Sequence, residues 1–403
     1  MGSQAFEGVK VVDFGWIGVG PSVGQYLGDH GATVVRVESN TRLDALRILP
    51  PFKDQQLGIN RSAFFAIINA SKYGISLNLS HPKGIEVAKR LVKWADVVTE
   101  GMTPGTMKKL GLDYEELKKV KPDIIMLSTT QQGQYGPHAH FGGHGGLMAS
   151  LAGFFSLTGY PDGDPAMVYG AYVDFVNFHL VGALVIAALD YRRRTGKGQY
   201  IDHSQIEGAL QFLASPLLDY GVNRRVLTRM GNRDPYAAPH GVYPCRGEDK
   251  WCAIAVFSDG EWQAFCRVIG NPDWITEPKF ATLLSRKENE DELDRLVGEW
   301  IANFTAEEVM TVMQAAGVPA AAVKNPEEVF NDAQLKHRGY FVMLEHPEIG
   351  LHSYHGAQFK LSKTPAQLRP APCLGEHNEY VYKELLGMSA DEIADLMAEE
   401  VLQ

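Results

Sequence analysis

Residues Val168–Asp202 read V-Y-G-A-Y-V-D-F-V-N-F-H-L-V-G-A-L-V-I-A-A-L-D-Y-R-R-R-T-G-K-G-Q-Y-I-D, and this stretch indicates the fold better than any other. Its centre, Phe175–Leu189, is apolar nearly all round, which is typical of a helix buried in a core. With fifteen residues, Asn177 and His179 among them, the segment is too short and too polar to be expected to span a membrane. Three arginines and two glycines then indicate a helix C-terminus and a left-handed turn. We therefore predict a buried helix that leads into a short strand at Gln199–Asp202.

A single acid, Asp174, stands immediately before this apolar run. Free backbone N–H groups and the helix dipole favour a carboxylate in the first turn, so Asp174 can be interpreted as a helix N-cap. A carboxylate at this place can also attack a thioester carbonyl, while nearby N–H groups hold the oxygen that becomes negative. The pattern alone leaves the N-cap and the nucleophile as alternatives.

The N-terminal part alternates strands and helices. Val9–Phe14 and Thr33–Glu38 are β-branched runs separated by the turn G-W-I-G-V-G and a helix. The turn imitates a dinucleotide fingerprint, but its G-x-x-G-x-G spacing and the proline after it are wrong for a pyrophosphate site. Further strands at Asp96–Thr99 and Asp123–Ser128 predict a parallel sheet that binds ligands at the carboxyl ends of its strands.

The loop Thr129–Gly146 is rich in glycine and carries His138, His140 and His144. Their H-x-H-x-x-x-H spacing invites a metal interpretation, but no carboxylate or cysteine stands nearby in the loop. Glycines favour a close approach of the backbone to a ligand instead. We therefore predict no metal ion at this loop.

The overall composition limits the partners that we expect. A net charge of −10, without a basic patch that contains aromatic residues, argues against nucleic acid. It also means that an anionic ligand must be held by local cations or helix N-termini. The four cysteines have no C-x-x-C spacing and no signal peptide is visible, so we expect a cytoplasmic protein with reduced thiols and no membrane partner.

An acid before a helix that closes with A-L-D-Y-R-R-R-T-G-K-G-Q-Y-I-D resembles the family III CoA-transferases, also called the CaiB/BaiF type, which are relatives of formyl-CoA and carnitine CoA-transferases. The stretch N-A-S-K-Y-G-I-S-L at Asn69–Leu77 and the loop glycines before Pro137 match further motifs, and the resemblance extends over essentially the whole chain. It implies an α/β fold with a Rossmann-like large domain on a parallel sheet, a smaller α+β domain and an interlocked dimer. We assign residues 1–205 and 330–403 to the large domain and residues 230–322 to the small one.

The same resemblance implies the chemistry. The family moves CoA from an acyl-CoA donor to a carboxylic acid acceptor without a permanently bound cofactor, and Asp174 would form a mixed anhydride and then an aspartyl-CoA thioester. His144 would have either a catalytic role or a place in the acyl pocket, and Lys109 would contact the CoA phosphates. The residues implied to bind CoA are Gly18, Val19, Lys72, Leu77, Gly101, Met102, Thr103, Lys109, Gly143 and Gly145.

The acceptor and the reaction have alternatives. Met230–Cys245 is similar to a stretch of transferases for aromatic or aliphatic acids, such as the succinyl-CoA:benzylsuccinate enzyme, which implies succinyl-CoA as donor and an aromatic or dicarboxylic acid as acceptor. The α-methylacyl-CoA racemases also resemble this fold and use a His and an Asp as two bases. His144 and Asp174 match that pair, but Gly145 stands where racemases have an acid. A third alternative is a non-catalytic subunit of a heteromer, and the chain is otherwise expected to form a homodimer or to pair with a related subunit.

Overall fold

The computed structural model describes residues 4–403, which form two compact units. The first unit comprises the chain up to Phe154, together with Val168–Arg224 and Ala333–Gln403. The second comprises Phe155–Met167 and Arg225–Asp332. Each unit is therefore assembled from segments that are distant in the sequence.

Within residues 4–403, the strands form one parallel and two antiparallel sheets. They are β1 (Lys10–Phe14), β2 (Thr33–Glu38), β3 (Tyr73–Ser76), β4 (Val97–Glu100), β5 (Ile125–Thr130), β6 (Tyr200–Ser204), β7 (His240–Pro244), β8 (Trp251–Ala255), β9 (Ala320–Ala322), β10 (Phe341–His346) and β11 (Gly350–His355).

The α-helices are α1 (Val19–Asp29), α2 (Ala63–Asn69), α3 (Pro82–Trp94), α4 (Thr106–Lys109), α5 (Tyr114–Val120), α6 (Gly145–Leu151), α7 (Phe154–Leu157), α8 (Tyr172–Thr195), α9 (Gln205–Leu210), α10 (Ala214–Asn223), α11 (Asp259–Val268), α12 (Leu283–Glu288), α13 (Glu290–Ile301), α14 (Ala306–Ala315), α15 (Pro326–Phe330), α16 (Ala333–His337) and α17 (Ala390–Ala398). A π-helical segment covers Tyr380–Leu385, and short 3-10 segments cover Ala45–Ile48, Lys53–Gln55, Gln211–Leu213, Asp273–Thr276 and Pro278–Phe280.

The sheet of the first unit confirms the predicted α/β class. Its six strands lie in the order β3-β2-β1-β4-β5-β6, and every neighbouring pair is parallel. The strand order reverses between β1 and β4, so the loops after these two strands border a crevice at the carboxyl edge of the sheet. Doubly wound sheets bind their ligands at such a crevice, so we expect a ligand site at this edge of the sheet.

The second unit has the mixed character that was predicted for the smaller domain. Strands β7, β8 and β9 form an antiparallel sheet. Ile254 on β8 is buried in one core with Phe265 of α11, Val297 of α13 and Val309 of α14. Thr305 caps α14: its side chain accepts the N–H of the residue three positions on, in a reciprocal capping box that the local sequence T-A-E-E indicates.

Two helices differ from what the local sequence indicates. Ser80, two positions before Pro82, is typical of a helix cap, but α3 is capped by His81, whose side chain accepts the N–H of Lys83. Pro216 is typical of a helix break, but the break falls earlier, at Gln211–Leu213, and α10 runs through the proline. Pro216 lies in the first turn of α10, where a missing N–H costs no helical hydrogen bond.

Helix α8 is longer and more exposed than the sequence predicts. It has 24 residues, and by length and composition alone it could cross a membrane; 39% of its apolar window is buried inside the chain. Its inner face packs with α1 and the sheet in the core that contains Val181 and Val185. The prediction of a helix buried on all sides is wrong for the single chain, because the other elements cover one face only. Large apolar side chains that are 37–45% exposed mark the outer face, namely Phe175, Leu180, Leu184 and Tyr191.

Candidate active site

Asp174 lies in the first turn of α8 but does not cap this helix. Ala171 is the N-cap residue and makes no side-chain capping bond. The Asp174 carboxylate turns away from its own helix: its Oδ2 accepts the N–H of Gly145 at 3.0 Å, and its Oδ1 lies 3.5 Å from Nε2 of Gln131. The N-cap interpretation is therefore wrong, and the hydrogen-bond partners of Asp174 come from two other elements.

Gly145 is the first residue of α6, and its lack of a side chain makes this contact available. A Cβ at this position would lie 2.6 Å from Asp174 Oδ2 and 2.8 Å from the carbonyl oxygen of Ala171. His144 precedes it as the N-cap of α6, with Nδ1 accepting the N–H of Gly146 at 3.2 Å. The start of α6 therefore presents a backbone donor directly to the Asp174 carboxylate.

Burial and hydrogen bonds shift the pKa of Asp174 in opposite directions. The side chain is only 7% exposed, and burial raises its pKa above the ordinary value of 3.8. The Gly145 N–H, the Gln131 amide and His144 favour the ionised form and limit the rise in pKa. Asp174 is thus a carboxylate that is largely removed from water and still has donors facing both oxygens.

Asp174 lies in a cavity of about 210 Å³, which we call the Asp174 cavity. The loops after β1, β4 and β5 and the segment before α6 form its walls, at the carboxyl edge of the sheet. The residues predicted from the sequence that line this cavity are Gly18, Val19, Gly101, Met102, Thr103, Gly143, His144 and Asp174.

A second cavity, of about 280 Å³, lies beside the first and is called the Arg42 cavity here. Leu77 lines it, and the Arg42 guanidinium lies 4.9 Å from the ring centre of Trp16. Lys109, the last residue of α4, is exposed and does not line either cavity. The sequence analysis did not identify Arg42, although a cation shortly after β2, at the carboxyl edge of the sheet, could have drawn attention to it. Residues that line both cavities are Trp16, Gly101, Met102 and Thr103.

The structure contradicts the implied contact between Lys72 and CoA. The Lys72 ammonium donates to Asp13 Oδ2 at 2.8 Å, to the Pro21 carbonyl at 2.7 Å and to Asn69 Oδ1 at 2.8 Å. These three bonds use all three of its protons, and the residue is 2% exposed. Burial opposes ionisation of Asp13, yet Lys72 and a neighbouring arginine lower the pKa of Asp13 to about 2. Lys72 is therefore a structural residue beneath the site.

A buried charge network holds the turn after β1. Asp13 accepts the N–H of Gly15 at 2.8 Å, while Arg36 donates to the Gly15 carbonyl and to Asp44. Asp44 in turn accepts the N–H of Ile17 at 3.2 Å. Ile17 has a φ of 61°, which is strained for a β-branched residue, and it lines the Asp174 cavity. The network thus keeps the turn in a conformation that the local sequence would not adopt by itself.

Two glutamines at the site were missed by the sequence analysis. Gln131 directly follows β5, and its Nε2 donates to Oε1 of Gln205 at 3.1 Å. Both side chains line the Asp174 cavity. His140 and His144 line it too, but within residues 4–403 no three His, Cys, Asp or Glu side chains are grouped as a metal site requires.

Comparison with known proteins identifies the family. The family model described as CoA-transferase family III matches residues 6–378. The chain belongs to this family. The transferase is 32% identical over 402 residues to the succinyl-CoA–D-citramalate CoA-transferase of Chloroflexus aurantiacus, covering 99% of this chain and 98% of the relative. It is 33% identical over 383 residues to the succinate–glutarate CoA-transferase of Agrobacterium fabrum, covering 94% and 95%.

A solved structure agrees with this assignment. The crystal structure of a CaiB/BaiF family protein from Brucella suis matches the transferase with a TM-score of 0.86 and 30% sequence identity. The match covers 95% of this chain and 100% of the other. The predicted family, the enzyme class and the fold are thereby confirmed.

Proposed function

We propose that this transferase moves CoA from succinyl-CoA to a carboxylic acid, with Asp174 as the residue that carries the covalent intermediates. The observation that carries the proposal is the buried Asp174 carboxylate, which faces a cavity while a backbone N–H holds one of its oxygens at 3.0 Å. The named activities of the two relatives, both involving succinyl or succinate, support the choice of donor.

The reaction proceeds by exchange of acyl bonds. The Asp174 carboxylate attacks the thioester carbonyl, the C–S bond breaks, and CoA thiolate and a mixed anhydride result. The thiolate then attacks the Asp174 carboxyl carbon and releases succinate, which leaves an aspartyl-CoA thioester. The acceptor carboxylate reverses these two steps and departs as its CoA thioester. Exclusion of water protects the anhydride, which the low exposure of Asp174 favours.

The two cavities together suit an elongated thioester. They share Trp16 and the loop after β4, so one ligand can extend from the first into the second. The thioester carbon lies at Asp174 in this proposal, and the phosphate-bearing nucleotide lies beside Arg42. Local cations of this kind are required because the protein as a whole carries a net charge of −10.

The acceptor in this proposal is a dicarboxylic acid. The two relatives are named for D-citramalate and glutarate, and both acceptors carry two carboxyl groups. The Met230–Cys245 stretch extends the proposal to aromatic members of the class such as benzylsuccinate. Initial rates with succinyl-CoA and these three acids, each at equal concentration, rank the acceptors directly.

Gly145 argues against the racemase alternative. Racemases have an acid at this position, whereas a Cβ here would collide with Asp174 Oδ2. His144 accepts the Gly146 N–H at Nδ1, so the lone pair of this nitrogen already has a donor in the backbone of α6. We therefore assign His144 to the acyl pocket. A branched acyl-CoA in D₂O should gain no deuterium without an acceptor, and His144→Phe should lose activity only moderately; rapid exchange would favour the racemase.

Mass analysis of the intact protein tests the covalent cycle. Incubation with succinyl-CoA should add an acyl or CoA group, and hydroxylamine should convert the adduct into a hydroxamate at Asp174. Asp174→Ala should form no adduct and lose several orders of magnitude in activity while it still binds CoA. Full activity of Asp174→Ala would overturn the proposal. Adduct formation by the wild type also distinguishes an enzyme from a non-catalytic subunit.

We further propose that a second subunit covers the exposed face of α8. Leu180, Leu184 and Tyr191 follow one another at spacings of four and seven residues, so they lie on one face of α8 and form an apolar patch that is unusual for a surface in water. Light scattering of the purified chain should give a dimer. A monomer without activity that becomes active with a related subunit would instead establish a heteromer.

A further inference from the structure

We infer that Gln131 is a positioning residue for the Asp174 carboxylate and that Gln205 sets the orientation of the Gln131 amide. This inference rests on the proposed covalent role of Asp174. It concerns a side chain that was not among the residues from which the family was recognised, and that reaches Asp174 from the end of β5.

The Gln131 amide faces two acceptors at once. Its Nε2 lies 3.1 Å from Gln205 Oε1 and 3.5 Å from Asp174 Oδ1, and it has one proton to donate to each. If the amide were reversed, its oxygen would face a carbonyl oxygen and a carboxylate oxygen, and both contacts would be repulsive. The two acceptors therefore select one orientation, in which the donor group faces Asp174.

In this orientation the amide oxygen of Gln131 lacks a hydrogen-bond donor within residues 4–403. Its Oε1 is buried and has no hydrogen-bond partner among the described residues. A buried carbonyl oxygen without a donor is unfavourable. A glutamine retained only for packing would be expected to satisfy both ends of its amide. The arrangement instead favours the contacts that Nε2 makes with Gln205 and Asp174.

Gln205 is held firmly enough to serve as the anchor. It is the first residue of α9, it is 6% exposed, and its backbone carbonyl accepts Nδ2 of Asn177 from α8 at 2.9 Å. Its Nε2 lies 3.5 Å from Thr129 Oγ1, which is 3.1 Å from Nδ1 of His203. Burial lowers the pKa of His203 to about 4, so this histidine is neutral near pH 7. The chain of groups behind Gln131 thus consists of fixed dipoles without a net charge.

The contacts make the two oxygens of Asp174 different. Oδ2 is engaged by the Gly145 N–H at 3.0 Å, whereas Oδ1 has only the longer contact from Gln131. Oδ1 is therefore the oxygen that attacks the thioester carbon as the C–S bond breaks and CoA leaves as thiolate. When the thiolate attacks Cγ, the negative charge develops on Oδ2 beside the Gly145 N–H, and the Cγ–Oδ1 bond breaks with the departing acid. Gln131 keeps Oδ1 aimed at the cavity during the attack on the thioester, until the Cγ–Oδ1 bond breaks.

The experiment compares Gln131→Leu with the matched variant Gln132→Leu on the same loop, since Gln132 does not line the Asp174 cavity. Gln131→Leu should lower kcat about tenfold and leave the KM for succinyl-CoA nearly unchanged, because one donor to the carboxylate is lost. Gln131→Glu, which has almost the same shape, should lower kcat further because a second carboxylate faces Asp174. Gln132→Leu should match the wild type.

The pH profile of kcat separates positioning from a merely structural role. Asp174 acts as the carboxylate, so kcat falls as the pH drops through its pKa, and loss of the Gln131 donor should move this acid limb to higher pH. His140 and His144 are the other titratable side chains that line the cavity, and they are unchanged in the variants. Gln205→Leu should shift the limb in the same direction, but less, because it only releases the orientation of the Gln131 amide.

The measurement of adduct formation at Asp174 distinguishes a failure of this inference from a failure of the proposed function. If the wild type forms no adduct at Asp174, the proposed covalent role fails. If the wild type forms the adduct and both Gln131 variants form it at the same rate, with an unshifted acid limb, the role of Gln131 is refuted while that of Asp174 stands. Circular dichroism of each variant checks that it is folded, and Gln131→Glu retains a polar side chain if the leucine variant does not fold.

Discussion

Replacement of Gly145 by alanine adds one methyl group at the closest contact of the site. The new Cβ would lie 2.6 Å from Asp174 Oδ2, about 0.8 Å short of an ordinary 3.4 Å contact, and 2.8 Å from the Ala171 carbonyl oxygen. The carboxylate must move, and the 3.0 Å bond from the Gly145 N–H is then lost or stretched. A charge-assisted hydrogen bond contributes about 1.5–3 kcal/mol, which corresponds to roughly 10- to 150-fold in rate.

The expected result is a fall in kcat of this size with little change in the KM for acyl-CoA. Alanine is a better helix former than glycine, so the helix propensity of α6 does not fall, but the contact with the Ala171 carbonyl should lower the Tm of a protein that still folds, as thermal unfolding should show. Initial rates and the rate of adduct formation at Asp174 are the measurements. Gly221→Ala in α10 is the matched control, because a Cβ there has no atom within 4 Å. A Gly145→Ala variant with kcat within twofold of the wild type would refute the argument.

Three further predictions concern the surroundings of the site. Arg42→Ala should raise the KM for succinyl-CoA roughly tenfold and the KM for a pantetheine thioester less. Lys109→Ala, outside the cavity, should change both KM values little, and an equal rise of the two KM values in Arg42→Ala would exclude a phosphate contact for Arg42. Lys72→Met removes the nearer of the two cations that pair with the buried Asp13 and should cost about 3 kcal/mol in the free energy of unfolding, measured by urea denaturation, and an unchanged midpoint would contradict this. Burial raises the pKa of Glu100 to about 7, so the wild type loses stability as the pH rises from about 4.5 to 7, and the Tm of Glu100→Gln relative to wild type should increase between pH 5 and pH 8.

Much of the fold follows from local sequence. The β-branched runs at β1, β2, β4 and β5 and the helices between them are read within short windows, because strand and helix periodicity depends on neighbouring residues. The cap of α14 at Thr305 was likewise predictable, since the capping box spans only a few positions. The position of Asp174 at the start of α8 also follows from the local sequence.

The hydrogen-bond partners of Asp174 do not follow from the local sequence. Gly145 lies 29 positions before it and Gln131 lies 43 before it, and the two meet Asp174 only because their loops converge at the carboxyl edge of one parallel sheet. The sequence shows a lysine at position 72 but not that its three protons are used on buried oxygens, so only the packing removes it from the site.

The exposed face of α8 illustrates the same division. Its composition by itself determines that the helix is apolar nearly all round, because hydrophobicity is a property of each side chain. Which face is covered depends on how many elements the rest of the chain can bring against it, and this chain buries Val181 and Val185 while it leaves Leu180 and Leu184 in contact with solvent. The sequence by itself thus determined the elements and the acid at the head of α8. The tertiary structure alone decided which donors, cations and surfaces surround that acid, because these contacts join residues that no local pattern connects.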